Sequence, residues 1–507
     1  MKPGPRPVAW LVLAAWAGAC RSSPPADART IVIVQAEGPV SLDPNASNED
    51  ASGNVLGNVF EPLVAMDANL RLVPALAESW YTPDATTWVF KLRKGARWHD
   101  GREVRPAEVV SSLERARSDP QSRRRPELSQ ITAIGEGGPG EIVLKTRAPF
   151  GALTSQLAQV AISRPARDGH SFPVGTGPYR IQSFSPGGDT ALTPAAAESP
   201  LHPLLFRVVQ DSKTQLQMLR DGRCQIVPYL SPTDAAAIKT SPKLRLIRRQ
   251  GLSIAFLGMD YARTHTPYVN LKKNPFRDIR VRRALASVID REALLATALD
   301  GRGAPLDQLV VPEAFGHAAG VPAPKPDVAL ARRLMAEAGL PDGFVVTLDY
   351  EGIAMKGSMD RIAAVLAIQL GRIGIHLKPR ALLTQELLHR VESRDTSLYV
   401  LSWVGTSGDF GSTAEFLLHT PVPGRGTDNG GGYSSPEADA LIDAASATLD
   451  PAARLAILRQ LEERVRDDVP VIPLLRREDA YGVAAEVSFE PRLDREIRGV
   501  SLVIDRR

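Results

Sequence analysis

Two cysteines in 507 residues, Cys20 and Cys224, leave no framework of disulfides to hold this chain together. Its fold must rest on a buried core, and 43% apolar against 23% charged residues supplies the material for one. The eight histidines are scattered, the nearest two being His376 and His389, so neither a helical i,i+4 zinc pair nor HExxH exists. No metal and no cofactor is expected. An excess of one charge is missing too: 61 basic and 57 acidic residues leave +4, and no long single-sign run appears, which disfavours nucleic acid as a partner. Also missing are Walker A, GxSxG and a GxGxxG that opens a helix after a strand. Asp409-Phe410-Gly411 spells DFG without the other motifs of a kinase. The absence of every standard constellation points to binding rather than to an enzyme.

No apolar run reaches the ~20 residues that a membrane-spanning helix needs. The stretch Val8 to Ala17 follows Lys2 and Arg6 and ends in Ala17-Gly18-Ala19, the pattern of a signal peptide over residues 1–19. Cys20, directly after it, resembles the acylated cysteine of a bacterial lipobox, with Ala17 where that pattern usually has leucine. Ordinary cleavage after Ala19 suits the same residues. The expectation is an exported protein, lipid-anchored at Cys20 on the outer face of a bacterial membrane or in the periplasm, with residues 21–29 as a flexible tether. Cys224, in GRCQIVPYL, reads as a buried structural thiol on a strand rather than a reactive one.

At roughly 150 residues per domain, the length suggests about three domains. TIVIVQ (30–35) and TWVFKL (87–92) read as strands, and Pro106 opens a helix to about Arg117. From about 275 onward helices alternate with strands. Asp327 caps a helix ended by Gly339, FVVTLDY follows as a strand at 344–350, Ser358 caps a helix stopped at Gly374, and IHLKP is the next strand. Further helices start at Ser435-Pro436 and near Pro451. This succession predicts an α/β fold.

Several stretches together are similar to bacterial extracellular solute-binding proteins of family 5, the receptors of peptide-type ABC importers. They are PALAESW (74–80), TWVFKLRKGARWHDG (87–101) and AEVVSSLER (107–115); PVGTGPYR (173–180); NPFRDIRVRRALASVIDREALL (274–295); AEAGLPDGF (336–344); YSSPEADALIDAA (433–445) and DDVPVIPL (467–474). Most of these residues are expected to make the fold: Gly175 to Pro178 a turn that starts a strand at Tyr179, His99 a turn residue, Arg280 and Arg282 helix-start and interdomain charge partners.

The resemblance implies a three-lobed periplasmic-binding-protein fold of the large peptide-binding class, with hinge closure. Lobe I is expected from 30–58, 172–270 and 478–507, lobe II from 59–171, and lobe III from 271–477. It implies a receptor, expected to be a monomer, that encloses a di- to oligopeptide or similar solute and delivers it to ABC permease subunits in the membrane. A nickel complex, an opine or an oligosaccharide are other solutes of such receptors. An exported hydrolase or a sensor remains the reading from other classes. The family's aspartate for a peptide amine falls in LSWVGTSGDFG (401–411), where Asp409 is the candidate, with Trp403, Gly405 and Thr406 along the wall and Phe410 where the family often has proline. Asp409 also reads as a turn-former and Trp403 as core. Glu49 and Asp50 are candidates for a second wall, or a solvated acidic pair.

Overall fold

The computed structural model describes residues 30–47, 49–166, 172–239, 241–320, 325–352 and 358–505, so the expected signal peptide, Cys20 and the tether lie outside the described residues. The architecture is mixed α/β. An eleven-stranded sheet runs through the molecule in the order Tyr179–Phe184, Thr190–Pro194, Leu204–Val208, Ile31–Gln35, Ile226–Val227, Val471–Ala484, Leu244–Met259, Leu398–Val404, Phe344–Glu351 and Ile375–Leu382. Gly303–Pro305 pairs alongside Val471–Ala484.

Both central strands are long. Leu244–Met259 has sixteen residues and Val471–Ala484 fourteen, and at ~3.3 Å per residue the first spans about 50 Å. They pair antiparallel in two blocks: Leu244–Gln250 against Glu478–Ala484, then Ile254–Gly258 against Val471–Arg476, with the register broken between Gln250 and Ile254. Extra residues on one strand bend it and raise its local twist. One block packs into a cluster with Ile31, Ile33, Phe206 and Tyr481; the other packs with Leu257, Phe276, Leu348 and Ile472. The sheet therefore passes between two cores at its irregular point.

A separate four-stranded antiparallel sheet, ordered Ala77–Tyr81, Thr87–Leu92, Glu141–Thr146 and Ile131–Glu136, carries the helix Pro106–Ser118 on a core of its own around Trp88, Phe90, Trp98 and Leu113. His99 fastens this unit to the next signature stretch. Its Nδ1 accepts from the Gly175 N–H at 3.3 Å while Nε2 lies 2.9 Å from the Gly177 carbonyl, which fixes a neutral tautomer with the proton on Nε2. Gly175 must be small, since a Cβ there would stand 2.0 Å from the Val59 carbonyl.

The expected cap at Asp327 is present, accepting from Leu330 N at 2.8 Å, and the two later helices start where expected, with Ser435 accepting from Ala438 N at 3.3 Å and Asp450 from Ala453 N at 2.8 Å. Arg280 pairs with Asp278 at the start of its helix, and Arg282 donates to the carbonyls of Phe276 and Asp468 and covers the Tyr261 ring. One expectation needs correcting. Cys224 is fully buried but sits just before Ile226–Val227 rather than on a strand.

Burial pushes the Cys224 thiol up to about 12, against the pull of Arg223 and Arg207. Only the thiolate is nucleophilic, so native protein near pH 8 is expected to react with a thiol reagent about a thousandfold more slowly than unfolded protein. Reaction timed with and without denaturant checks this.

Candidate functional site

Three cavities bear on the candidate residues. The first, about 250 Å³, is enclosed by the helix Asp50–Val59, by residues 124–127 and 158–161 and by the C-terminal segment 492–498, with Thr406 at its rim. Its charged side chains are largely matched with one another. Asp50 pairs with Arg495 at 2.7 Å, Arg124 with Glu127 at 3.4 Å, Arg492 with Asp494 and Arg498 with Glu496. Glu49, exposed at the N-cap of the helix, makes no side-chain cap and no ion pair among the described residues. Its carboxylate is thus left available at the mouth of the cavity.

Arg495 is the residue that ties this wall to the sheet. It stands at φ +67, its guanidinium lies 4.0 Å from the Tyr229 ring centroid, and its Nε is 3.5 Å from Asp479 on the strand Val471–Ala484. Burial lowers the Arg495 pKa, but Asp479, Tyr229 and Asp50 outweigh it and hold the group above its ordinary value. Arg495 therefore stays charged, and Asp50 is held in place by a fixed cation.

The second cavity, about 310 Å³, shares Glu49 and Asp50 with the first and is otherwise lined by groups such as Gln35, Asn54, Gln210 and Tyr229. The third, about 590 Å³, opens beside Trp403, with Phe256, Leu388, Leu401 and Val422 as an apolar surround. Trp403 packs against Phe416 with centroids 6.2 Å apart. Its indole N–H is buried without a partner, as is the Ser402 hydroxyl beside it. Unpaired buried polar groups are uncommon in native proteins, and in a cavity wall they are the groups a bound solute satisfies.

The structure thus brings Glu49, Asp50 and Thr406 to one cavity and sets Trp403 in another. Gly405 lies between them, where a Cβ would come to 3.3 Å from the Thr413 hydroxyl. The Thr406 carbonyl accepts from Gln159 Nε2 at 3.1 Å, joining this loop to the four-stranded unit.

Asp409 has another employment than the one expected of it. It is 4% exposed, accepts from the Ser412 N–H to cap the helix Phe410–Leu417, and receives both terminal nitrogens of Arg454, at 2.5 and 2.9 Å. Three hydrogen bonds engage its oxygens from inside, so this carboxylate is not presented to a solute amine. The turn-former reading was nearer. Sequence reasoning missed Arg454, yet a signal existed: Arg454, Leu458, Leu461 and Val465 fall on one helical stripe, and an arginine on a buried stripe demands a carboxylate. Arg495 and Gln159 left no comparable trace.

Among the described residues, no group of three or more His, Cys, Asp or Glu side chains is placed to hold a metal ion, and no helix is long and apolar enough to cross a membrane.

Comparison with known proteins accounts for this architecture. The model of bacterial extracellular solute-binding proteins, family 5, middle region, matches residues 71–422. The dipeptide-binding protein of Escherichia coli is 24% identical, over 93% of this chain and 92% of its own. The glutathione-binding protein GsiB of Pectobacterium atrosepticum is 26% identical over 91% of each chain. Among solved structures, HbpA2 of Haemophilus parasuis superposes with a TM-score of 0.81 at 19% identity, covering 94% of this chain and all of that one. A match this long, on a sheet of this topology, leaves one assignment: the chain belongs to the bacterial extracellular solute-binding proteins of family 5.

Proposed function

We propose that this protein is the extracytoplasmic receptor of an ABC importer, enclosing a di- to oligopeptide or similar solute and handing it to membrane permease subunits without bond chemistry of its own. The three-lobe division expected from the sequence serves this role. The break between Gln250 and Ile254 is the natural bending point, because two strands cross there between separate cores. A lipid anchor at Cys20 and a monomeric state complete the reading.

The observation that carries it is the unmatched chemistry of the cavity walls. Glu49 offers a free carboxylate where the neighbouring acids are paired, and the Trp403 cavity offers apolar surface with an unpaired N–H. A solute with a cationic amine and an apolar body, joined by amide groups, satisfies both. Glu49, rather than Asp409, is the amine's partner in this reading, while Asp50 serves through its bond to Arg495.

Thermal shift and native mass spectrometry of the mature protein against peptide pools test the role, with ligand-induced stabilisation expected. Glu49→Gln is expected to weaken binding of a retained peptide about tenfold or more, the scale of a charge-assisted hydrogen bond, with unchanged stability of the free protein. Unaltered affinity in that variant would remove Glu49 from the site.

A further inference from the structure

The helix Pro451–Asp468 carries a second buried ionisable group, on a cavity that shares no lining residue with the three above. Glu462 is 3% exposed, and its carboxylate makes no hydrogen bond or ion pair among the described residues; Oε2 is buried without a partner. It lines a cavity of about 60 Å³, room for one or two water-sized particles. Arg291, 7% exposed, lines the same cavity. Its Nε donates to the Pro473 carbonyl at 2.8 Å, but its Nη1 is unpartnered. Arg466 reaches Asp307 only at 3.8 Å, with both Arg466 Nη2 and Asp307 Oδ2 left without hydrogen bonds.

These four are the titratable groups of the wall: Arg291 from the helix Arg291–Ala298, Asp307 from the loop after Gly303–Pro305, and Glu462 and Arg466 from the long helix. The helix Ile279–Val288 and the strand Val471–Ala484 contribute only apolar residues, such as Ala286 and Ile472. A buried carboxylate without hydrogen bonds keeps its proton, because the ionised form loses its hydration and gains nothing in return. With Glu462 neutral, two arginines and one aspartate leave one net positive charge around the cavity. Three unpartnered donors then line it: Arg291 Nη1, Arg466 Nη2 and the Glu462 acid O–H. One unpartnered acceptor, Asp307 Oδ2, stands beside them, so donors are in excess, and water in the cavity leaves the net positive charge uncompensated where an anion neutralises it.

We infer that this cavity binds a small monovalent anion of halide size, held by Arg291, Arg466 and protonated Glu462. Binding takes up a proton wherever Glu462 would otherwise be ionised. Burial is the main cause that pushes Glu462 up to about 8, with Arg466 opposing and Asp307 adding to it. Anion affinity is therefore full below that value and falls about tenfold per pH unit above it.

The test uses the mature full-length chain. Its thermal midpoint is measured in chloride and in gluconate at equal ionic strength, at about pH 7 and about pH 9.5. A midpoint higher by about 1–3 °C in chloride at the lower pH, with the gain lost at the higher, is expected. In Glu462→Gln, whose amide donates at any pH, the chloride gain persists at both. Crystals soaked in bromide should show an anomalous peak between Arg291 and Arg466. Equal midpoints in the two salts with no bromide peak mean that the cavity holds only water, and overturn the assignment. A chloride gain in Glu462→Gln that still disappears at high pH overturns the proton coupling.

Discussion

Arg454→Met lowers the stability of the folded protein by about 3–5 kcal/mol in urea unfolding, the expected cost of leaving a buried charge without its partner. The two side chains are each 5% exposed, and the guanidinium binds both oxygens of Asp409 while its Nε donates to the Ala445 carbonyl at 2.9 Å. No water reaches Asp409 to replace what is lost. Met fills much of the arginine's volume, so the loss is electrostatic rather than a cavity. Asp409→Asn behaves differently. An amide oxygen still caps the Ser412 N–H and still accepts one arginine hydrogen bond, so about 1–3 kcal/mol is expected. Combining the two costs less than their sum, because neither charge is then stranded. The same variants decide what Asp409 is for. Stability lost with solute affinity retained supports a structural pair; Asp409→Asn with full stability and abolished binding would return Asp409 to the ligand.

That distinction marks what the sequence could reveal. Local chemistry was legible wherever a few neighbouring residues decide it. The strands Ile31–Gln35, Thr87–Leu92 and Phe344–Glu351 follow from β-branched and alternating patterns, the helix after Asp327 from its cap, and the helices at Pro436 and Pro451 from their proline starts. Family membership was legible because its signature stretches are long and largely structural, like the Gly175–Gly177 turn that receives His99. Long-range pairings were not. Asp409 and Arg454 stand 45 residues apart, and Asp50 and Arg495 lie at opposite ends of the described chain. Each acid looks equally available in the sequence, and only folding decides which is consumed internally. Glu49 and Asp50 are adjacent, yet one is paired and its neighbour is not. Nor does any local pattern show that Leu244–Met259 continues across two cores, because its pairing in each half is set by partners far away in the chain, on Leu398–Val404 and Val471–Ala484.

At the point where that strand crosses, Arg476→Met is expected to lower stability by about 3 kcal/mol and to speed amide exchange over Gln250–Ile254 by tenfold or more, measured by hydrogen exchange with mass spectrometry. The register break leaves Gly251, Leu252 and Ser253 without partners on the strand Val471–Ala484. Arg476, 3% exposed, supplies the missing donors: Nε to the Gly251 carbonyl at 2.6 Å and Nη2 to the Gln250 carbonyl at 3.2 Å, with Nη1 2.8 Å from Glu313. A buried carbonyl without a donor costs about 1–3 kcal/mol, and two are stranded together. Glu313 is 35% exposed and can rehydrate, which holds the total near the lower end of the range for a broken buried pair. Lys at this position carries the charge but not the planar fork that reaches two carbonyls and a carboxylate at once, so Arg476→Lys should recover only part of the loss. A ladder bond is replaced here by a side chain, and a side chain can follow a bend that a ladder resists. If the strands flex at this break when solute is enclosed, Arg476→Met also changes solute affinity without touching a cavity wall. Unchanged exchange across Gln250–Ile254 in the variant would show that the break is held by something other than Arg476.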